Sequence, residues 1–219
     1  EKYNLAPLST SLRHMHFPRQ TEELAMAERR MKFEELFFLQ LAILRYAKNR
    51  KLKYRGFVFA RVGNCFMQFY REKLPFELTE AQKRVVHEIR ADLGSGRQMN
   101  RLLHGDVGSG KTMVALMACL LAVDNGFQAC LMAPTEILAE QHFSTLRQMT
   151  EGLPLRVELL TGSVKGIRRD EVLRGVADGS VGLLVGTHAV IEPTVNFLNL
   201  GLVVIDEQHR FGVEQRAKL

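Results

Sequence analysis

Residues 105–112 read Gly-Asp-Val-Gly-Ser-Gly-Lys-Thr, and no other stretch constrains the fold as strongly. The pattern G-x-x-x-x-G-K-[ST] puts glycines where a backbone must curl closely around phosphate groups, then a lysine and a hydroxyl. Such a loop works between a buried strand and a helix whose amino end adds its positive dipole. The spacing therefore predicts a strand over Arg101–His104, then a helix over Lys111–Asn125 stopped by Gly126. Gly105, Gly108, Ser109, Gly110, Lys111 and Thr112 are the candidate nucleotide-binding residues. Lys111 would reach the β- and γ-phosphates of a bound triphosphate, and the Thr112 hydroxyl would face Mg²⁺.

The 219 residues fit one large domain, or one domain with an extension. An apolar content of 46% and a charged content of 25% suit a water-soluble chain with a real core. Cys65, Cys119 and Cys130 are odd in number and lack metal-like spacing, so they read as reduced core thiols. The longest apolar run, Met113–Val123, is too short to span a bilayer, and no secretory signal is visible. A cytoplasmic, reducing setting without membrane contact is the resulting expectation. Residue 1 is Glu, which reads as an excised fragment.

The net charge of +6 arises wholly in the N-terminal third, peaking at Arg45, Lys48, Arg50, Lys51, Lys53 and Arg55. A solvated helix end and a nucleic-acid-facing patch explain it equally well. Residues 1–20 read as irregular, broken by Pro7 and Pro18. A long helix is expected over about 21–50, with Thr21 as its cap. Its stretch Leu36–Leu44 is apolar on nearly every face, which predicts burial against the following domain or a missing one. Residues 57–71 suggest a short strand or hairpin. Residues 1–75 are thus expected to form a helical extension, and 76–219 a second unit. After the helix Thr79–Leu93, strand and helix alternate, which marks a parallel sheet with flanking helices. The further expected strands are Ala129–Ala133, Val157–Leu160, Leu183–Gly186 and Leu202–Ile205. The further expected helices are Ile137–Met149 and Ile167–Ala177.

The apolar run Leu202–Ile205 leads straight into Asp206-Glu207-Gln208-His209. In parallel sheets ligands sit at the carboxyl ends of the strands. Asp206 there would hold Mg²⁺, and Glu207 would orient or deprotonate the water attacking the γ-phosphate. His209 is either a surface imidazole or part of this set. Thr79 and Gln82 spell a capping box, T-x-x-Q. The Gln82 amide also suits an adenine edge, because it both donates and accepts. Three loops at strand ends carry small polar residues suited to nucleic-acid backbone phosphates, whatever the bases. They centre on Pro134-Thr135, Thr161-Gly162 and Thr187-His188. No aromatic ladder interleaves with them, so base stacking is not expected.

GDVGSGKT, APTEILAEQH (residues 133–142), TGS (161–163), GTHA (186–189) and DEQH (206–209) together resemble the first motor domain of superfamily 2 helicases. The spelling DEQHRFGVEQR (206–216), with His16-Phe17-Pro18 and the Glu34–Leu41 run, resembles the RecG family of bacterial branched-DNA helicases. The resemblance covers essentially the whole chain. It implies a RecA-like P-loop fold preceded by a helical linker, and an ATP-driven translocase remodelling stalled forks and Holliday junctions in repair and recombination. Lys111, Asp206, Glu207 and His209 would then be catalytic, with His209 coupling nucleotide state to DNA. Gln82 would read adenine, and Thr135, Thr161 and Thr187 would touch the DNA backbone. The resemblance also implies a second motor domain and a wedge domain outside this stretch, so the chain alone is expected to turn over little ATP. The alternatives are a transcription-repair coupling translocase, a P-loop kinase, or a non-catalytic DNA-binding piece.

Overall fold

The structure, a computed structural model, describes residues 3–53 and 55–211, without the side chains of residues 47 and 50–53. The basic positions Arg50, Lys51 and Lys53 therefore fall outside the described side chains. The motif tail 212–216 lies outside the described residues altogether. The chain divides into two compact units, Glu1–Arg55 and Gly56–Leu219.

The first unit is a helical pair, α1 (Leu8–His16) packed on α2 (Thr21–Lys53). The irregular segment expected over residues 1–20 is thus corrected. Pro7 sits just outside α1 with φ −55°, a value that favours helix entry, and α1 stops at Phe17, immediately before Pro18. The prolines bracket a helix instead of preventing one. Along α2, Arg30 pairs with Glu34 and Lys32 with Glu28, each at 2.9 Å and four residues apart. The apolar stretch expected to be buried is exposed: Leu36 is 65% accessible and Phe38 57%.

The second unit begins with α3 (Asn64–Gln68), which continues as a single π-helical turn, Phe69–Lys73. The strand or hairpin expected over 57–71 does not form. Cys65, Phe66 and Phe69 are buried in one apolar cluster, three and four residues apart, which is helical periodicity that aromatic content had masked. Residues 56–75, grouped with the extension from sequence, pack inside this unit. Their anchor is the end of α5 (Lys111–Asp124). The Asp124 carboxylate accepts backbone N–H bonds from Gly63, Cys65 and Phe66 at 2.9–3.0 Å. The Asn125 amide bonds both the N–H and the carbonyl of Arg61 at 2.9 Å.

α4 (Glu80–Leu93) precedes α5, and four strands follow with helices between them. They are β1 (Gln128–Met132), α6 (Glu136–Met149), β2 (Val157–Leu160), α7 (Gly166–Ala177), β3 (Leu183–Gly186) and β4 (Leu200–Ile205). All pairings are parallel, in the order β2-β3-β1-β4. Every residue of β1 and β3 is buried, as inner strands covered on both faces must be. Alternation sends Ala129 and Leu131 to the face covered by α5, and Cys130 and Met132 to the face covered by α7. Leu116 and Leu120 of α5 fill the first layer; Val172 and Val176 of α7 fill the second. The three cysteines are free and buried, as expected.

One expected strand is missing. Residues 101–104 have no regular structure, and Leu102 is 71% exposed. A strand requires a ladder partner, and here the Arg101 side chain is drawn to Glu88 and Asp92 on α4.

Candidate functional site

The topology decides which end of the sheet carries the chemistry. α5 packs on β1 and β4 and is joined to β1 by the short Gly126 turn, so it runs antiparallel to both. Its 14 residues rise about 21 Å, slightly more than a five-residue strand of about 17 Å. Lys111, at its start, therefore lies on the side of the carboxyl ends of the strands. Asp206 lies on that side too, because its N–H continues the ladder to Met132 O at 2.9 Å. Ala133 N–H bonds Gly186 O at 2.8 Å, so the ends of β4, β1 and β3 stand next to one another.

The loop into α5 takes the form its glycines permit. Gly108 and Gly110 have φ of 78° and 79°, the left-handed region that side chains resist. A Cβ at Gly110 would stand 2.5 Å from Gln82 Nε2. Lys111 Nζ donates to the Gly105 and Asp106 carbonyls at 2.8 and 2.7 Å, folding its ammonium over its own loop. Val107 at the tip is fully exposed. The Met113 and Val114 N–H groups bond Gly110 O at 3.0 and 3.2 Å, and the N–H groups ahead of them stand at the amino end of the helix, the usual basis of anion binding.

Gln82 does two things at once. Its Oε1 accepts the Thr79 N–H at 2.9 Å, and Thr79 Oγ1 accepts the Gln82 N–H at 3.2 Å. The capping box is therefore complete. The Nε2 donates to Ser109 O at 2.9 Å and so ties α4 to the phosphate loop.

At the end of β4, Asp206 Oδ1 accepts the N–H of Glu207 at 3.0 Å. Its Oδ2 pairs with His142 Nε2 at 2.8 Å. Glu207 adopts φ 45° and ψ 50°, a left-handed conformation that disfavours a non-glycine residue by roughly 1–2 kcal/mol. Strain of this kind clusters at functional sites. Glu207 Oε2 is held by Arg210 Nε at 2.9 Å. His209 is exposed in a 3₁₀ turn over Gln208–Arg210. Among the described residues no ion pair joins Lys111 to Asp206; each is held by its own neighbours.

The three polar loops lie at the same ends. Thr135 is exposed and caps α6, its Oγ1 accepting the Leu138 N–H at 3.3 Å. Two hydroxyls expected to face DNA point inward instead. Thr161 is buried and its Oγ1 lies 2.7 Å from Ser163 Oγ. Thr187 is 2% accessible, and its Oγ1 has no hydrogen-bond partner among the described residues. Each directly follows a buried strand and stays in the core. Gly162, Ser163 and His188 are the exposed members of those loops, with Pro134 half-buried beside Thr135.

Sequence reasoning missed His142. Its neighbours Ala139 and Leu146, three and four residues away, are fully buried, so it lies on the inner face of α6. A histidine within an otherwise amphipathic helix gives no signal by itself.

The family model described as DEAD/DEAH box helicase matches residues 79–219. The ATP-dependent DNA helicase RecG of Synechocystis sp. is 52% identical over all of this chain, which covers 26% of that protein. The RecG of Bacillus subtilis is 48% identical, again over the whole chain and 32% of its own length. The chain thus spans about a quarter to a third of these relatives. A solved structure of RecG bound to a three-way DNA junction superposes with a TM-score of 0.84 at 42% identity. It covers 96% of this chain and 29% of that one. Yeast Dbp5 bound to RNA and ADP BeF3 gives 0.51 at 16% identity, over 74% of this chain and 42% of that one, which speaks to fold alone.

Proposed function

Since the chain belongs to the DEAD/DEAH box helicase family, we propose that it is the first motor domain of a RecG-like helicase, driving branched DNA with ATP. The observation that carries this is the placement of Lys111 and Asp206 on one side of the sheet, at the ends of elements that pack together. Remodelling of stalled forks and Holliday junctions is the activity we assign to the whole polypeptide. The second motor domain and the wedge domain are its other parts, and the bacterial cytoplasm is its setting. No helix among the described residues is long and apolar enough to cross a membrane.

In this reading ATP sits on the loop 105–112 with its phosphates against the amino end of α5. Lys111 exchanges two loop carbonyls for phosphate oxygens, which are stronger acceptors because they are charged. Gln82 reads adenine by giving up one of its present bonds. Thr112 and Asp206 suit Mg²⁺ because both are hard oxygen donors, and this ion takes one or two protein oxygens together with phosphates. Bound there, Mg²⁺ would neutralise charge on the β- and γ-phosphates. Glu207 serves the attacking water once it leaves Arg210. Pro134, Thr135, Gly162 and His188 present the surface for the DNA backbone. Thr161 and Thr187 shape those loops from within, and His209 relays between the two ligands.

Titration with ATP and ADP in the presence of Mg²⁺ tests the core of this reading. Lys111→Ala should weaken triphosphate binding by roughly 10- to 100-fold, the loss of a charged hydrogen bond. Equal affinity in parent and variant would refute it. Hydrolysis by the full-length polypeptide should rise when a three-way junction is added.

A further inference from the structure

We infer that His142 is a positioning residue for Asp206, fixing the carboxylate that meets the metal. This rests on the metal-binding role proposed above for Asp206. His142 Nε2 lies 2.8 Å from Asp206 Oδ2, while Asp206 Oδ1 takes the Glu207 N–H at 3.0 Å. With one bond on each oxygen, the carboxylate cannot rotate freely. Each oxygen nevertheless keeps a second lone pair, so the group can be held and still act as a ligand.

The placement of the histidine supports a positioning role over simple packing. The pair spans two elements that do not follow one another in the chain, α6 and the end of β4. α6 is fixed against β2 and β3, with Ala139 and Leu146 fully buried on either side of His142. The imidazole itself is only 16% accessible, and Asp206 35%. The histidine is thus rigidly mounted, and the atom it meets belongs to the more open partner. α6 also begins at Thr135, in one of the three loops proposed for DNA. The same helix therefore holds a DNA-facing loop at its start and the metal-side carboxylate two turns later. This makes α6 a direct connection between the two ligand sites.

Groups that orient a metal ligand from outside usually change metal affinity by about 10- to 100-fold when removed. The test measures binding of a fluorescent ADP analogue to the full-length polypeptide with and without Mg²⁺. The readout is the factor by which Mg²⁺ tightens it. His142→Ala should reduce that factor roughly 10-fold and leave the metal-free affinity unchanged. His142→Gln, whose Nε2–H can replace the imidazole donor, should recover most of the loss. A parent-like factor in His142→Ala overturns the inference. So does an equal fall of metal-free affinity in both variants, which would mark a packing role. A parent protein that shows no Mg²⁺ effect would instead sink the metal-site reading, and this inference with it.

Discussion

Two helical stretches of this chain read almost alike, yet the structure treats them oppositely. Met113–Val123 in α5 and Leu36–Leu44 in α2 are both apolar nearly all round. In α5 the result is a buried rod: Leu116 and Leu120 are wholly inaccessible. In α2, Leu36, Phe37, Phe38 and Leu39 are each more than half exposed. Composition sets what a segment gains by being covered. Topology decides whether a cover exists. α5 lies on a parallel sheet, and its far end grips residues 61–66, while the described residues leave this stretch of α2 open.

The largest test of that contrast is truncation inside α5. Leu120→Ala should destabilise the second unit by about 2–5 kcal/mol, read from urea unfolding, since the sheet cannot collapse into the space. Next comes the grip itself. Asp124→Ala leaves three N–H groups without their charged acceptor and should cost about 2 kcal/mol.

A third effect, confined to alkaline pH, comes through the thiols. Burial, aided by the Asp124 carboxylate, pushes Cys65 up to about 11. Burial alone pushes Cys119 up to about 12. An unfolded thiol ionises near 8.5. The native state thus holds its protons while the unfolded state sheds them, and stability falls as pH rises from about 8.5 through 11–12. Below pH 8.5 this contribution is fully present. A cysteine placed at exposed Ala42 of α2 should react with a thiol reagent at once at pH 8, whereas Cys119 should react only on unfolding. Fast labelling of native Cys119 would contradict the burial of α5.

The smallest change is expected for Phe38→Ser, within about 0.5 kcal/mol in this chain. A loss well above that in the full-length polypeptide would mean that another part of it covers the helix.

The same contrast explains what could be read from sequence. The four strands and the helices between them were legible because a sheet covered on both faces forces short continuous apolar runs, bounded by turn residues and separated by helical stretches. The glycine spacing at 105–110 and the acidic pair at 206–207 were legible because their chemistry has few spellings. Three things depended on partners that no local pattern names. Residues 101–104 look like a strand but find no ladder. Thr161 and Thr187 look like surface hydroxyls but follow buried strands inward. His142 meets Asp206 across 64 residues. The short helices α1 and α3 were hidden for a different reason: bracketing prolines and aromatic content outweighed a periodicity only one or two turns long.

Gln128 sits at the amino end of β1, opposite the candidate site. Its Nε2 donates to Val176 O and Val181 O at 3.0 and 2.9 Å, and its Oε1 accepts the Asn199 N–H at 2.9 Å. One buried amide thereby rivets three neighbouring segments at the base of the sheet. With that floor clamped, Gln82, Lys111 and Glu207 at the opposite rim can exchange their side-chain bonds while the base of the sheet stays fixed.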